Sequence, residues 1–233
     1  MRPSRPIPVS APPRVHERLS AAPDGPVEVV HRGPHAVYVE LAGAGTARCV
    51  GVVDDRAAQV PCAVRAPAGA LLDVPARSAE VRAGVLHLDG RPLEVGRFLR
   101  VTVPALPGLL APEAPPALGA DEVRSLVGAG DGLTPYGDDV LCGWLAAHRA
   151  AAVPTPEVDA AVRALAHRTT LLSAALLDCA LHGEVLPEYA AWLRAVGTPA
   201  EPAAAAALAA VGHSSGRGLL EGGRRALAGA VAA

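Results

Sequence analysis

Asp131, Thr134, Asp138 and Asp139 fall within the twelve residues 128–139, among the glycines Gly128, Gly130, Gly132 and Gly137. Glycine at this density weakens both helix and strand. The backbone there is expected to form a loop that approaches a ligand closely or takes positive φ. An amphipathic run, 140–145, follows directly. The free N–H groups of a helix starting at that point would face back into the loop, as in an anion site. Carboxylates so placed suit a polar substrate or a magnesium ion, with Asp131, Asp138 and Asp139 as the candidate ligands. Asp138 or Asp139 would also serve as a general base. The plainer alternative is that Asp138 and Asp139 complement the dipole of a first helical turn. That alternative gives no role to Asp131, to Thr134 or to three of the glycines.

A second cluster, Gly212-His213-Ser214-Ser215-Gly216, has the form G-x-S-x-G. As a nucleophile elbow it would need a strand before it, and an acid and a histidine after it. The residues before it, 203–211, are alanine-rich, and neither Asp nor His follows Ser214. A serine hydrolase of unfamiliar fold is therefore a remote alternative. Ser214 or Ser215 either caps the last helix or offers its hydroxyl and the open N–H groups to a ligand. A third cluster, Thr169, Thr170 and Ser173, interrupts an apolar helical stretch. Its hydroxyls either bond back to helix carbonyls or face the same pocket as the two glycine loops. His148, His167 and His182 lack H-E-x-x-H spacing and read as surface or core residues.

Positioning these clusters falls to a helical half. Helices are expected at 121–127, 136–152, 155–168, 170–182 and 187–196, then over the alanine-rich 202–211 and after Gly216, with glycine stops and proline starts between them. Before them the chain reads differently. Short valine-rich runs at 27–30, 36–41, 49–53, 60–64, 81–88 and 98–103 are separated by Gly, Pro or Asp-Gly breaks, and Asp89-Gly90 suits a tight hairpin. The expected architecture is α+β. Residues 1–26, with seven prolines, form a flexible tail; 27–103 form an antiparallel β barrel or sandwich; 104–117 form a linker; and 118–233 form an all-helical domain carrying the site.

Composition narrows the chemistry. The 233 residues are 51% apolar, enough for a sizeable core, and the net charge of −2 gives no basic surface for nucleic acid. There is no lysine, so Schiff-base, pyridoxal-phosphate and Walker A chemistry are excluded. The glycine spacing G-x-G-x-G after a helical segment does not fit an NAD fold. The four cysteines contain no C-x-x-C pair and read as buried thiols without structural zinc. The N-terminus lacks an apolar signal core, and the longest apolar run is too short to span a membrane. A soluble cytoplasmic protein with no membrane partner is expected.

The three clusters together resemble one family. Residues 130–139, G-D-G-L-T-P-Y-G-D-D, resemble a G-x-G-L-T-P-S-G-D-D signature; Thr170 and Ser173 resemble a T-x-x-S segment; and Gly212–Gly216 resembles a third. The family is the AllH-like subunit of oxamate carbamoyltransferase. Tyr136 stands where that family often has Ser, and Gly218 where an acid often follows. The resemblance implies an enzyme complex of purine (allantoin) breakdown that moves a carbamoyl group between oxalurate or oxamate and phosphate, together with two other subunits. It makes Asp138, Asp139, Thr134, Ser214 and Ser215 site candidates. With them go the substrate-binding candidates of the clusters, Gly130, Gly132, Gly137, Thr170, Ser173, His213 and Gly216. A non-catalytic ligand-binding or scaffold subunit is the competing expectation.

Overall fold

A computed structural model describes residues 5–43, 45, 47–110 and 118–231. The chain divides into two compact units at Arg100/Val101. The first holds eight strands and one helix: β1 (Ile7–Ala11), α1 (Pro13–Ala21), β2 (Gly25–Arg32), β3 (Ala36–Glu40), β4 (Cys49–Val53), β5 (Ala63–Arg65), β6 (Ala79–Arg82), β7 (Val85–Leu88) and β8 (Arg91–Phe98). They close into a barrel in the order β1-β5-β4-β3-β2-β6-β7-β8. Closure removes the exposed edges that short valine-rich strands would otherwise present. Six junctions are antiparallel, and two, β1 with β8 and β4 with β5, are parallel. Ile7, Val9, Val50, Val52, Leu86 and Leu88 fill the interior.

The barrel half and the helical half stand as the sequence indicates, and the hairpin at Asp89-Gly90 is present with φ of 48° and 75°. Three details differ. The segment read as a loose tail supplies β1 and α1 from its described part. Pro12 and Pro13 open α1 at positions where a missing N–H is harmless, and Ile7, Val9 and Ala11 are buried in the barrel. The run 81–88 is not one strand, because Ala83 (φ 48°) and Gly84 (φ 76°) turn it into the β6–β7 hairpin. A Cβ on Gly84 would lie 2.9 Å from Ser20 Cα, so the turn also lets α1 pack closely. Residues 101–103 do not extend β8. They pair with the helical unit instead, where Thr102 bridges Glu184 and Val103 N–H donates to the Gly183 carbonyl. Of the expected linker, 111–117 lie outside the described residues.

The second unit contains α2 (Ala120–Leu126), α3 (Tyr136–Ala150), α4 (Pro156–Leu165) with a 3-10 turn at Ala166–Arg168, α5 (Leu171–Leu181), α6 (Pro187–Ala195), α7 (Glu201–Ala209) and α8 (Ser215–Val231). α3 is buried on nearly every face, as befits an apolar helix at the centre of a bundle. Its own Trp144 and Leu145 share one apolar core with Leu177, Tyr189, Trp192 and Leu208.

Candidate site at two helix N-termini

The central contact of the helical unit is a glycine seam between α3 and α8. A Cβ on Gly143 would sit 2.1 Å from the Leu219 carbonyl oxygen, and one on Gly222 1.9 Å from that of Val140. A Cβ on Gly218 would meet Asp139 Cβ at 2.7 Å and the Tyr136 oxygen at 3.1 Å. The contacts advance in the same direction along both helices, Gly218 against Tyr136 and Asp139, then Gly222 against Val140 and Trp144. The two helices therefore run parallel and begin at the same end. Their dipoles are aligned side by side, an arrangement that an anion at the shared N-terminal end would stabilise. Gly218, where an acid was noted in the resembling family, has no room for one.

The loop ahead of α3 is shaped by the same close approach. Gly128, Gly130 and Gly132 have φ of +75°, +117° and +88°. A Cβ on Gly128 would lie 2.7 Å from the Arg168 oxygen, one on Gly130 2.8 Å from Tyr136 N, and one on Gly137 2.2 Å from the Leu126 oxygen. The two glycine loops meet across 81 residues of sequence, with Thr134 Oγ1 2.8 Å from Ser215 Oγ. The third cluster joins them. Thr170 Oγ1 donates to the Leu133 carbonyl at 2.6 Å and accepts from Ser173 N at 3.0 Å, capping α5.

Adjacent positions on a helix face directions about 100° apart, and the two aspartates are put to different uses. Asp138 turns inward. Its Oδ1 accepts from Gly128 N–H at 2.9 Å, and its Oδ2 accepts a short hydrogen bond from Thr169 Oγ1. Both oxygens are thus taken up in pinning the loop and the start of α5 to α3. Asp138→Ala is expected to cost about 1–3 kcal/mol in urea unfolding, because it removes the partner of a half-buried N–H and of a half-buried hydroxyl. A loss below about 0.5 kcal/mol would show that this carboxylate is not a structural tie.

Asp139 turns toward α8. It is 3% exposed, and its Oδ2 has no hydrogen-bond partner among the described residues. Burial pushes its carboxyl up to about 7; the Ser215 hydroxyl opposes the rise, nearby Asp138 adds to it, and Thr134 opposes it. A carboxyl of that kind exchanges a proton near neutral pH, the property required of a general acid–base group. Ser173 Oγ, on α5 packed against α3, is likewise buried without a partner, so it does not bond back to a helix carbonyl.

The remaining candidates are placed less closely. Gly216 permits α8 to touch α7, since a Cβ there would lie 1.8 Å from the Leu208 oxygen. The Ser214 carbonyl accepts from Gly218 N–H and starts α8, and the exposed His213 accepts at its carbonyl from Arg217. A helix, α7, precedes this segment, and Ser215 pairs with Thr134 rather than with a histidine, which is not the context of a nucleophile elbow. Asp131 is exposed, Asp138 is committed to its two donors, and among the described residues no group of three His, Cys, Asp or Glu is placed to hold a metal ion.

Beside the seam lies a groove of about 620 Å³ lined by Tyr136, Arg217, Leu220, Glu221, Arg224 and Arg225, among others. Tyr136 OH donates to Glu221 Oε2 at 2.5 Å, and Arg225 holds the other Glu221 oxygen at 2.5 Å. The bond to Tyr136 holds the Glu221 carboxyl below its usual range, and the same bond raises the Tyr136 phenol. None of these α8 residues was singled out in the sequence. Their signal was there in the spacing 217, 221, 224 and 225, one face of a helix.

The fold and site define a class: a closed barrel followed by a helical unit, with one protonatable carboxyl and a threonine–serine pair at the shared start of two parallel helices. Residues 126–227 match the family model described as oxamate carbamoyltransferase subunit AllH, and over that segment the chain is AllH-like. The match takes in both glycine loops, α3, α5 and most of α8, and it leaves out the barrel. No curated protein and no solved structure matches the chain. Among the described residues no helix is long and apolar enough to cross a membrane.

Proposed function

We propose that this chain is a subunit of a cytoplasmic carbamoyltransferase acting on oxamate, oxalurate or a related small amide or carboxylate in purine breakdown. One observation carries the reading: inside the AllH-like segment, a buried carboxyl that titrates near neutrality stands beside the Thr134–Ser215 hydroxyl pair. In this reading the α3 and α8 N-termini hold the anionic end of the substrate. The Thr134 and Ser215 hydroxyls orient it, and Asp139 moves the proton. As the oxamate nitrogen attacks the carbonyl carbon of carbamoyl phosphate, a C–N bond forms and the C–O bond to phosphate breaks. Ionised Asp139 takes the proton the nitrogen loses, and phosphate leaves with the bonding pair. In the reverse direction protonated Asp139 returns it.

A second reading, a ligand-binding subunit whose partner carries the reacting groups, is favoured by the slight exposure of Asp139, 3%. Thermal unfolding of the full chain tests the common part. Millimolar carbamoyl phosphate, phosphate or oxamate is expected to raise Tm, since a ligand at about 100 times its Kd stabilises by about 2.7 kcal/mol. No shift with any of them, alone or with partner subunits added, would remove the carbamoyl-transfer assignment. A shift that survives Asp139→Asn, with turnover of the assembled subunits also unchanged, would favour the ligand-binding reading.

A further inference from the structure

The barrel carries its own cleft, well away in sequence from the residues discussed so far. It measures about 610 Å³ and is lined by Ser10, Asp55, Gln59, Arg65, Gly96 and Arg97, with Pro8, Val9 and the start of the loop after β5 completing its wall. Its floor follows from strand register. On β1, Ile7, Val9 and Ala11 point into the barrel core, so Ser10 points outward, as strand alternation requires. Ser10 pairs with Arg65 of β5 on one side and with Arg97 of β8 on the other. Directly paired residues share a face of the sheet. Two arginines therefore flank one serine along a single rung of three strands, with like charges on the two strands either side of β1.

That rung exists because of a bulge. β8 pairs with β1 in register up to Val9↔Val95, then resumes at Ser10↔Arg97, which leaves Gly96 as the extra residue. A bulge re-aims the side chain next to it, and here it places Arg97 opposite Ser10. Arg97 Nε donates to Ser10 Oγ at 2.8 Å. This fixes the guanidinium, while its terminal nitrogens have no protein partner among the described residues. Arg65 is anchored by an NH2 bond to the Gln59 carbonyl at 3.3 Å. Gly96 does not serve close packing, because the nearest atom to an added Cβ is the Val9 oxygen at 4.0 Å. Its missing side chain leaves the cleft open.

We infer that this cleft is a binding site for a small anion bearing phosphate or carboxylate groups, held by Arg65 and Arg97 over Ser10. Two guanidinium groups on the strands either side of β1 present donors in the fixed geometry that suits such oxygens. The one acid at the rim, Asp55, leaves the lining net positive and offers an acceptor to an N–H or O–H on the same ligand.

NMR titration of the 15N-labelled full chain with inorganic phosphate and, separately, with malonate tests this and tells the two anion types apart. Saturable shifts are expected at Ser10, Arg65, Gly96 and Arg97. Arg97→Gln is expected to weaken binding at least about tenfold. Gly96→Leu, whose Cβ would meet no atom nearer than 4.0 Å and whose side chain would occupy the cleft, is expected to do the same with Tm little changed. Shifts that never saturate for either anion, or an affinity that both variants leave intact, would overturn the assignment. Asp139→Asn would leave these shifts unaltered, so failure here is separable from failure of the helical-unit site.

Discussion

Asp139→Asn is expected to raise the protein's stability at about pH 8 while lowering turnover of the assembled enzyme. The two effects share one cause. Burial lifts the folded-state carboxyl to about 7, whereas in the unfolded chain it titrates near 3.9. Between those values the folded protein binds one proton more than the unfolded chain, so stability falls as pH rises through that window. The contribution is fully present below about pH 4 and is lost above about pH 7, with a total on the order of 4 kcal/mol. An asparagine stays neutral at every pH and keeps the shape of the side chain. Urea unfolding at several pH values should show a decline between acid and neutral pH in the wild type and a flatter profile in the variant. In the assembled enzyme the same change should lower turnover by about 10²–10⁴-fold, the usual contribution of a general acid–base group. Equal pH profiles for the two proteins would show that Asp139 is solvated, and a fully active variant would show that it moves no proton.

The sequence separates these two aspartates from other acids but not from each other. Both stand in the first turn of α3, and either reading, dipole complement or site acid, applies to each of them. What distinguishes them is three-dimensional. Asp138 meets Gly128 N–H and Thr169, and Asp139 meets α8 at Gly218, a helix that begins some eighty residues later. The convergence of the two glycine loops is more legible, because a glycine run ahead of a helix describes the same physical object wherever it occurs: an open set of N–H groups. The proline-rich start misleads for a related reason. Composition counts prolines, but position decides what they do. Pro12 and Pro13 at the opening of α1 mark a helix start rather than disorder. The two parallel junctions of the barrel leave no local trace, since β1 is joined to β8 by the whole length of the domain. The Arg65–Ser10–Arg97 rung is invisible for the same reason, being a matter of register across three distant strands.

Gly222→Ala is expected to destabilise the protein severely, although alanine is the better helix former. In an exposed helix interior the exchange would stabilise by about 1 kcal/mol. On α8 the new methyl would stand 1.9 Å from the Val140 oxygen and 2.8 Å from Trp144 N. Both are backbone atoms of α3, so no side chain can rotate out of the way and the helices must separate by more than an ångström. Overpacking of this kind costs about 1–3 kcal/mol where side chains can yield, and the cost here belongs at or beyond the upper end. A net loss of about 2 kcal/mol or more in urea unfolding is the expected result. Ala228→Gly, on the exposed face of the same helix, should lose only about 1 kcal/mol and serves as the control. The seam also carries the functional argument, since it sets the α3 and α8 N-termini side by side and presses Gly218 against Asp139. Any Gly222→Ala protein that still folds should therefore have lost most of its ligand-induced rise in Tm. A variant as stable as the wild type would mean that the two helices are not in backbone contact, and the shared N-terminal site would lose its physical basis.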